Sequence, residues 1–138
     1  MVKAELSKQL MIFVDDTVGT LSEIMSFVSG AGINFVAMCA YAMDTNVAIM
    51  FVTDDNNAAK QLLSKHHYDV REEEVILLSL DNKPGSLQTV LDKVAEAGID
   101  LTLVYGSVDN SAEVCRIVLI SKNNLDAVMV IKTQLERS

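Results

Sequence analysis

The sequence has little of what stiffens or cross-links a protein. It contains no Trp and one Pro, and aromatic residues make up only 5% of its 138 residues. Because 50% of the residues are hydrophobic, the composition argues against disorder. The core must therefore consist of aliphatic side chains, Met and Ala.

Cysteines and long apolar runs are also scarce. The two cysteines, Cys39 and Cys115, have no C-x-x-C spacing, which favours a reducing compartment over a disulfide framework. The longest apolar run, from Phe35 to Met43, is far shorter than the roughly 20 residues that cross a bilayer. No basic region precedes an apolar one at the N-terminus. We therefore expect a cytoplasmic protein with no membrane partner.

Basic residues are too few for a nucleic-acid surface. The chain has 11 Lys and Arg against 19 Asp and Glu, so its net charge is -8. Binding to a phosphate backbone draws its affinity from clustered cations that release counterions. We therefore expect no nucleic-acid partner.

The residue groups typical of enzymes are missing as well. No G-x-G-x-x-G or G-x-x-x-x-G-K-(S/T) motif indicates a nucleotide. The two histidines, His66 and His67, are adjacent in sequence, so their side chains point in different directions and support neither a metal site nor a base for a nucleophile. We predict no catalytic residue, no metal and no cofactor. The acidic run at residues 72–74 is interpreted as a solvated linker.

What the sequence does contain is an internal repeat. Residues 15–21 align with residues 81–87, and residues 32–35 align with residues 98–101. Each copy has apolar residues at the i, i+3, i+4, i+7 spacing of one helix face, followed by a glycine suited to a left-handed C-cap at position 32 or 98. The matching apolar positions are Leu21, Ile24, Met25 and Val28 in one copy and Leu87, Val90, Leu91 and Val94 in the other.

Short apolar runs beside these helices predict three strands in each copy. The predicted strands are residues 9–14, 34–41 and 47–52 in the first copy and residues 75–80, 100–107 and 113–120 in the second. Turns rich in Asp and Asn, at residues 43–46 and 108–111, join the last two strands of each copy. Second helices follow Asn57 and Asn124, which we predict to be their N-caps.

A fourth strand at residues 68–71 closes the first copy, and the second copy has no room for its counterpart. An open sheet edge is a liability, so we expect the N-terminal segment Val2 to Lys8 or a second subunit to cover it. The fold class is α+β, with two ferredoxin-like βαββαβ repeats in tandem, antiparallel sheets and helices packed on one face. The predicted repeats are residues 1–72 and 73–138, the second with its final strand missing or replaced.

The turn before the first helix of each repeat is the candidate binding site. A helix N-terminus offers unpaired N–H groups to an anion such as a carboxylate, and Gly19 and Gly85 permit a close approach. Pro84 suits the first helical turn, where its missing N–H costs nothing. Asp16 and Asn82 could accept from an ammonium group, so the turn fits the head group of an α-amino acid. The alternative is that each glycine turn is only a good cap.

These turns resemble those of the ACT domain, a βαββαβ regulatory module. Residues 81–87 resemble its (D/E/N)-x-x-P-G-x-L turn and residues 97–101 its G-(I/V)-(N/D)-(I/L) segment, whereas the first repeat has Val18 in place of the proline. The resemblance implies reversible binding of a free amino acid, no catalysis and side-by-side pairing of modules. It implies that Asn82 with Asp100, and Asp16 with Asn34, contact the effector, commonly across an interface between two such modules.

We predict a non-catalytic, stand-alone sensor of a free amino acid that forms a homodimer and reports to a separate enzyme or regulator. The alternative is an assembly module that binds no small molecule. If the sensor interpretation holds, Asp16→Ala and Asn82→Ala should weaken binding with little loss of stability. The predicted ligand-binding residues are Asp16, Val18, Gly19, Thr20, Leu21, Asn34, Met38, Cys39, Asn82, Lys83, Pro84, Gly85, Ser86, Leu87 and Asp100.

Overall fold

A computed structural model describes residues 1–15, 18–107 and 111–136. The described residues form strands and helices in the βαββα order predicted for both repeats. The elements are β1 (Val2–Asp15), α1 (Thr20–Gly30), β2 (Phe35–Met43), β3 (Asn46–Thr53), α2 (Asn56–Lys65), β4 (Val70–Asp81), α3 (Ser86–Glu96), β5 (Leu101–Ser107), β6 (Val114–Ser121) and α4 (Asn124–Gln134).

The chain divides into two compact units. The first-repeat unit is Lys8–Glu73, and the second-repeat unit joins Met1–Ser7 to Glu74–Ser138. These units differ from the predicted repeats because Met1–Ser7 packs with the second one. The α+β prediction is confirmed, with antiparallel pairing of β3 to β1 and β2, and of β6 to β4 and β5.

In the first-repeat unit the strand order is β2-β3-β1-β4, which is the order of a ferredoxin-like sheet. Alternation along each strand places one face against α1 and α2. The core of this unit combines strand and helix residues, namely Leu10, Ile12, Ile24, Val28, Ile33, Ile49, Phe51, Ala59, Leu63 and Val70.

In the second-repeat unit the order is β1-β4-β6-β5, so the first half of β1 occupies the place of the missing fourth strand. Ala4 is fully buried in this unit's core. Its N–H donates to Glu136 Oε2 at 3.2 Å, which lowers the pKa of the Glu136 carboxyl. The N-terminal segment thus completes the second repeat, which is the first of the two alternatives predicted from the sequence.

The glycines that end the first helix of each repeat behave as predicted. Gly32 has φ 75° and Gly98 has φ 74°, directly after the C-cap residues Ala31 and Ala97. This left-handed conformation turns the chain into the next strand without the steric cost that a Cβ atom would add.

Both predicted N-caps of the second helices are wrong in position. The caps are Asp55, which accepts from the Ala58 N–H at 3.1 Å, and Asn123. Asn124 instead accepts from the Ser121 N–H at 2.8 Å and donates to the Glu74 carbonyl at 3.2 Å. Because this asparagine ties the end of one strand to another strand, the cap falls one residue before it.

The acidic run at residues 72–74 is not a linker, and that prediction is wrong. It lies within β4, which continues from one unit into the other without a break. Glu72 pairs with Lys8 at 3.6 Å and with Lys60 at 3.5 Å. Glu73 accepts a 2.8 Å hydrogen bond from the fully buried Gln9. Strand geometry is possible here because the carboxylates of Glu72 and Glu73 have neighbouring cations or a donor.

Within the described ranges, no helix is long and apolar enough to span a membrane.

Candidate functional site

The start of α1 leaves helical N–H groups exposed. Its N-cap is Gly19, with φ 91°, and no described side chain caps the helix. The first intrahelical bond runs from the Glu23 N–H to the Gly19 carbonyl at 2.9 Å. The N–H groups of Thr20 to Ser22 are those that an α-helix leaves without an intrahelical acceptor, and they carry the positive end of the helix dipole.

A cavity of about 710 Å³ opens beside this helix start; we call it the apolar cavity. The β2–β3 hairpin forms its far wall, because the two-residue turn pairs Ala42 with Val47 and Ala40 with Ile49. Ile49 is 1% exposed, so the wall is anchored in the core. The lining residues are Val14, Gly19, Thr20, Leu21, Ser22, Met25, Ala40, Tyr41, Ala42, Val47 and Ile49.

A second cavity, of about 610 Å³, borders the other side of the same turn; we call it the acidic cavity. The Tyr68 hydroxyl donates to Glu23 Oε1 at 2.6 Å. This hydrogen bond to a carboxylate, together with burial, raises the pKa of Tyr68 to about 12. Thr20 lines both cavities. The lining residues are Phe13, Val14, Asp15, Thr20, Glu23, Asn46, His67 and Tyr68.

Only some of the predicted turn residues of the first repeat therefore line the apolar cavity. Gly19, Thr20 and Leu21 line it, whereas the Val18 side chain is fully exposed and is absent from its lining. Asp16 lies outside the described residues. The part of this turn that the structure describes brings together backbone donors, apolar walls and nearby carboxylates.

In the second repeat the predicted residue Asn82 serves the fold. Its side-chain N–H donates to the Ala112 carbonyl at 2.9 Å, and its backbone N–H donates to the Glu113 carbonyl at 2.9 Å. These bonds tie the turn to the β5–β6 hairpin. We therefore expect Asn82→Ala to cost more stability than its position in a turn suggests, since it would leave the Ala112 carbonyl without this donor.

The rest of this turn is exposed at Lys83, Pro84 and Gly85, and half-buried at Ser86 and Leu87. Pro84 was predicted to lie in the first helical turn, and that prediction is wrong. The helix α3 begins at Ser86, after Gly85 takes φ 86°. The proline therefore precedes the N-cap. Its fixed φ sets the entry to the glycine turn and does not start the helix.

Asp81, at the start of the second turn, lies beside two cations. Its carboxylate pairs with the N-terminal ammonium of Met1 and lies 4.0 Å from Lys83 Nζ. The hydrogen bond from the ammonium lowers the pKa of Asp81. Its backbone N–H donates to the Met1 carbonyl at 3.3 Å. These contacts belong to the N-terminal segment that completes the second-repeat unit.

The predicted residues at the start of the second strands lie at the other end of the helix. Asn34 is exposed. Its backbone N–H donates to the Asp54 carboxylate at 3.1 Å, and its backbone carbonyl accepts from the Asp54 N–H at 3.0 Å. Asp100 accepts from the Lys122 N–H at 3.0 Å. Because α1 has 11 residues, it separates its two ends by about 16 Å. A small ligand held within one unit cannot contact both Asn34 and the glycine turn.

Met38 and Cys39 are not part of either cavity. As neighbours on β2 their side chains point to opposite faces of the sheet. Met38 is 46% exposed, and Cys39 is half-buried with a free thiol.

Several residues at the cavities were missed by the sequence interpretation. The hairpin residues, from Ala40 to Ala42 with Val47 and Ile49, could have been found by counting back from the turn, because a two-residue turn determines which residues face each other. Tyr68 carries no such signal, since 45 positions of sequence, which include β2, β3 and α2, separate it from Glu23.

Metal binding has no support from the described part of the chain, where no three His, Cys, Asp or Glu side chains come close enough to hold an ion. His66 stacks on Phe27 with ring centroids 3.7 Å apart. His67 adopts φ 68° and lines the acidic cavity. The two histidines therefore occupy different surroundings.

Comparison with known proteins gives one family and several structures with this fold. The family model described as ACT domain pair matches residues 6–135. Protein BT0572 from Bacteroides thetaiotaomicron is 26% identical with a TM-score of 0.87, covering 95% of this chain and 90% of its own. No curated protein matches the chain.

Two regulatory subunits of aspartate kinase share the fold at lower identity. The ligand-free subunit from Thermus thermophilus is 14% identical with a TM-score of 0.67, covering 99% of this chain and 98% of its own. The subunit from Thermus flavus is 14% identical with a TM-score of 0.60, covering 98% of this chain and 97% of its own.

Proposed function

The chain belongs to the ACT domain pair family, and on that premise we propose that it is a regulatory protein that senses a free α-amino acid at the first glycine turn. The observation that carries the proposal is the apolar cavity at the start of α1, which no side chain of the described residues caps. A concave, largely apolar site with a few convergent polar groups is the usual form of a small-molecule site.

The two ends of an amino acid's head group match the two sides of this turn. The carboxylate of the ligand is bound by the N–H groups of Thr20 to Ser22, where the helix dipole favours an anion. Its ammonium group faces the carboxylates of Asp15 and Glu23, which line the acidic cavity. Asp16, beside Asp15 in the sequence, is a further proposed acceptor for the ammonium group.

The two repeats are proposed to be unequal in this role. The turn of the first repeat borders both cavities through Thr20. In the second repeat Asn82 is engaged in the hairpin contact and Asp81 pairs with the N-terminal ammonium. We therefore assign the effector to the first repeat, and to the second a supporting role.

Binding has to be reported to another protein, since the proposed sensor carries out no reaction of its own. We expect a cytoplasmic homodimer whose association, or whose contact with a separate enzyme or regulator, depends on the effector. A ligand shifts such an equilibrium only by its differential affinity for the two states.

A second candidate function is an assembly module without a small-molecule ligand. It is favoured by large apolar side chains exposed on β1 and β2: Phe13 is 49% exposed, Tyr41 44% and Met43 45%. In its unit β2 pairs only with β3 and so leaves an open edge. Concentration-dependent association, measured by sedimentation with no response to any amino acid, would favour this candidate.

Calorimetric titration with each of the twenty amino acids tests the proposal. We expect one or a few of them to release or absorb heat and to raise the melting temperature, because a ligand that binds only the native state stabilises it. The variant Asp16→Ala should weaken that binding, and Asp44→Ala, at the exposed hairpin turn, is the control of equal charge change. Absence of heat and of any thermal shift with all twenty would refute the sensor function.

A further inference from the structure

The walls of the apolar cavity differ from its mouth. Its polar lining residues Thr20 and Ser22 belong to the first turn of α1, where the head group is proposed to bind. No described residue that lines the cavity has a charged side chain. Beyond the helix start the lining residues are apolar except for Tyr41, with Ile49 buried in the core and Met25 and Val47 packed against that core.

The described lining residues of these walls offer an amino-acid side chain no charged partner. A Lys, Asp or Glu side chain placed there would lose its hydration and gain no counter-charge from the described lining, which is strongly unfavourable. An apolar side chain would gain about 0.8 kcal/mol per buried methylene, or about fourfold in affinity. The volume of about 710 Å³ leaves room for a branched or aromatic side chain as well as water.

We infer that the effector is an α-amino acid with an uncharged apolar side chain of the size of leucine, methionine or phenylalanine, and that the cavity wall formed by α1 and the β2–β3 hairpin selects it. This inference rests on the proposed function and names its ligand class. The selecting residues are Leu21, Met25, Ala40, Ala42, Val47 and Ile49.

One position of the hairpin allows the wall to be altered without disturbing the core. Ala42 lines the cavity and is itself exposed, and it pairs across the hairpin with Val47. Its neighbour Met43 is 45% exposed, does not line the cavity, and points to the other face of the sheet. Ala42→Asp and Met43→Asp therefore add the same charge to the same strand on opposite faces.

The test is a calorimetric series with alanine, valine, leucine, methionine, phenylalanine, lysine and aspartate on the wild type and both variants. We expect affinity to rise about fourfold per methylene from alanine to leucine. Lysine and aspartate should bind at least tenfold more weakly than leucine. Ala42→Asp should weaken leucine binding at least tenfold, whereas Met43→Asp should change it less than twofold, with melting temperatures confirming that both variants fold.

The outcomes separate this inference from the function on which it rests. If lysine, aspartate or another polar amino acid binds more tightly than leucine, the ligand class is wrong while the sensor function stands. If Ala42→Asp and Met43→Asp weaken leucine binding equally, the effector does not occupy the apolar cavity and the inference is overturned. If the wild type binds none of the twenty amino acids, the proposed function itself fails.

Discussion

Replacing Gly19 with alanine tests the geometry of the first turn, and the second repeat supplies a matched control. Gly19 has φ 91° and Gly85 has φ 86°, and each is the N-cap of a helix of 11 residues. A Cβ atom built on either glycine meets no heavy atom within 4 Å. The cost of each substitution is therefore conformational, with no contribution from steric overlap.

The magnitude follows from two opposing effects. Holding a residue with a Cβ atom in the left-handed region costs about 1–2 kcal/mol. Alanine also restricts the unfolded chain, which offsets about 0.4–1 kcal/mol of that cost. We therefore expect Gly19→Ala and Gly85→Ala each to lower the free energy of unfolding by about 1 kcal/mol, and by amounts that agree to within about 0.5 kcal/mol.

Urea denaturation of both variants measures this loss, and calorimetry with the effector measures its functional counterpart. Gly19 lines the apolar cavity, so Gly19→Ala should also weaken effector binding, whereas Gly85→Ala should leave it unchanged. A loss above about 3 kcal/mol would mean that the space around the glycine is not open. No loss at all would mean that the turn is not left-handed. Either result would refute the reasoning.

Three further predictions concern the second-repeat unit. Asn82→Ala should lower the free energy of unfolding by about 1 kcal/mol through loss of the bond to the Ala112 carbonyl, and an unchanged urea midpoint would contradict this. Gly106→Ala should cost about 1–3 kcal/mol, because the new Cβ would lie 2.9 Å from the Arg116 carbonyl oxygen; a cost below that of Gly85→Ala would show that the strands can move apart. The pKa of Glu136 is lowered from 4.5 in the folded state, so its stabilising effect is present above pH 4.5 and is lost as the pH falls through the lowered value. Thermal melts should therefore show Glu136→Gln losing less stability than the wild type on acidification, and parallel curves would refute this.

The sequence predicted the parts of the fold that depend on local conformation. The apolar spacing and the C-terminal glycines Gly32 and Gly98 define the first helix of each repeat, because left-handed positions restrict the choice of residue strongly. The β2–β3 hairpin was predictable for the same reason, whereas residues 108–110 of the other predicted turn lie outside the described residues. Asp44, at φ 54°, lies in the turn that sets the pairing of β2 with β3.

Parts of the fold that depend on distant partners could not be predicted in the same way. The sequence of residues 72–74 indicates a solvated run, but β4 places Glu72 beside the cations of Lys8 and Lys60 and Glu73 beside the amide of Gln9. The burial of Ala4 and the packing of Val2 against the second-repeat core show that the first seven residues cover the sheet edge left by the missing strand. Local propensity carries no information about such pairings.

The candidate site was predictable at its mouth and not in its walls. Gly19, Thr20 and Leu21 follow from the glycine turn, whereas the identity of the opposite wall depends on strand pairing. Asn34 and Met38 were placed at the site by the family resemblance and by position in β2. Neither lines the cavity within its own unit.

Chemical-shift mapping of the full chain with leucine tests the central claim most directly. The backbone amides of Thr20, Leu21 and Ser22 should show the largest changes on titration, because their N–H groups are proposed to bind the ligand's carboxylate. The corresponding amides of the second repeat, from Ser86 to Gln88, should move far less. Saturating changes at α1 and at the β2–β3 hairpin are the result that a sensor of an apolar amino acid predicts. Changes confined to residues outside α1 and the β2–β3 hairpin, or no change at any leucine concentration, would contradict it.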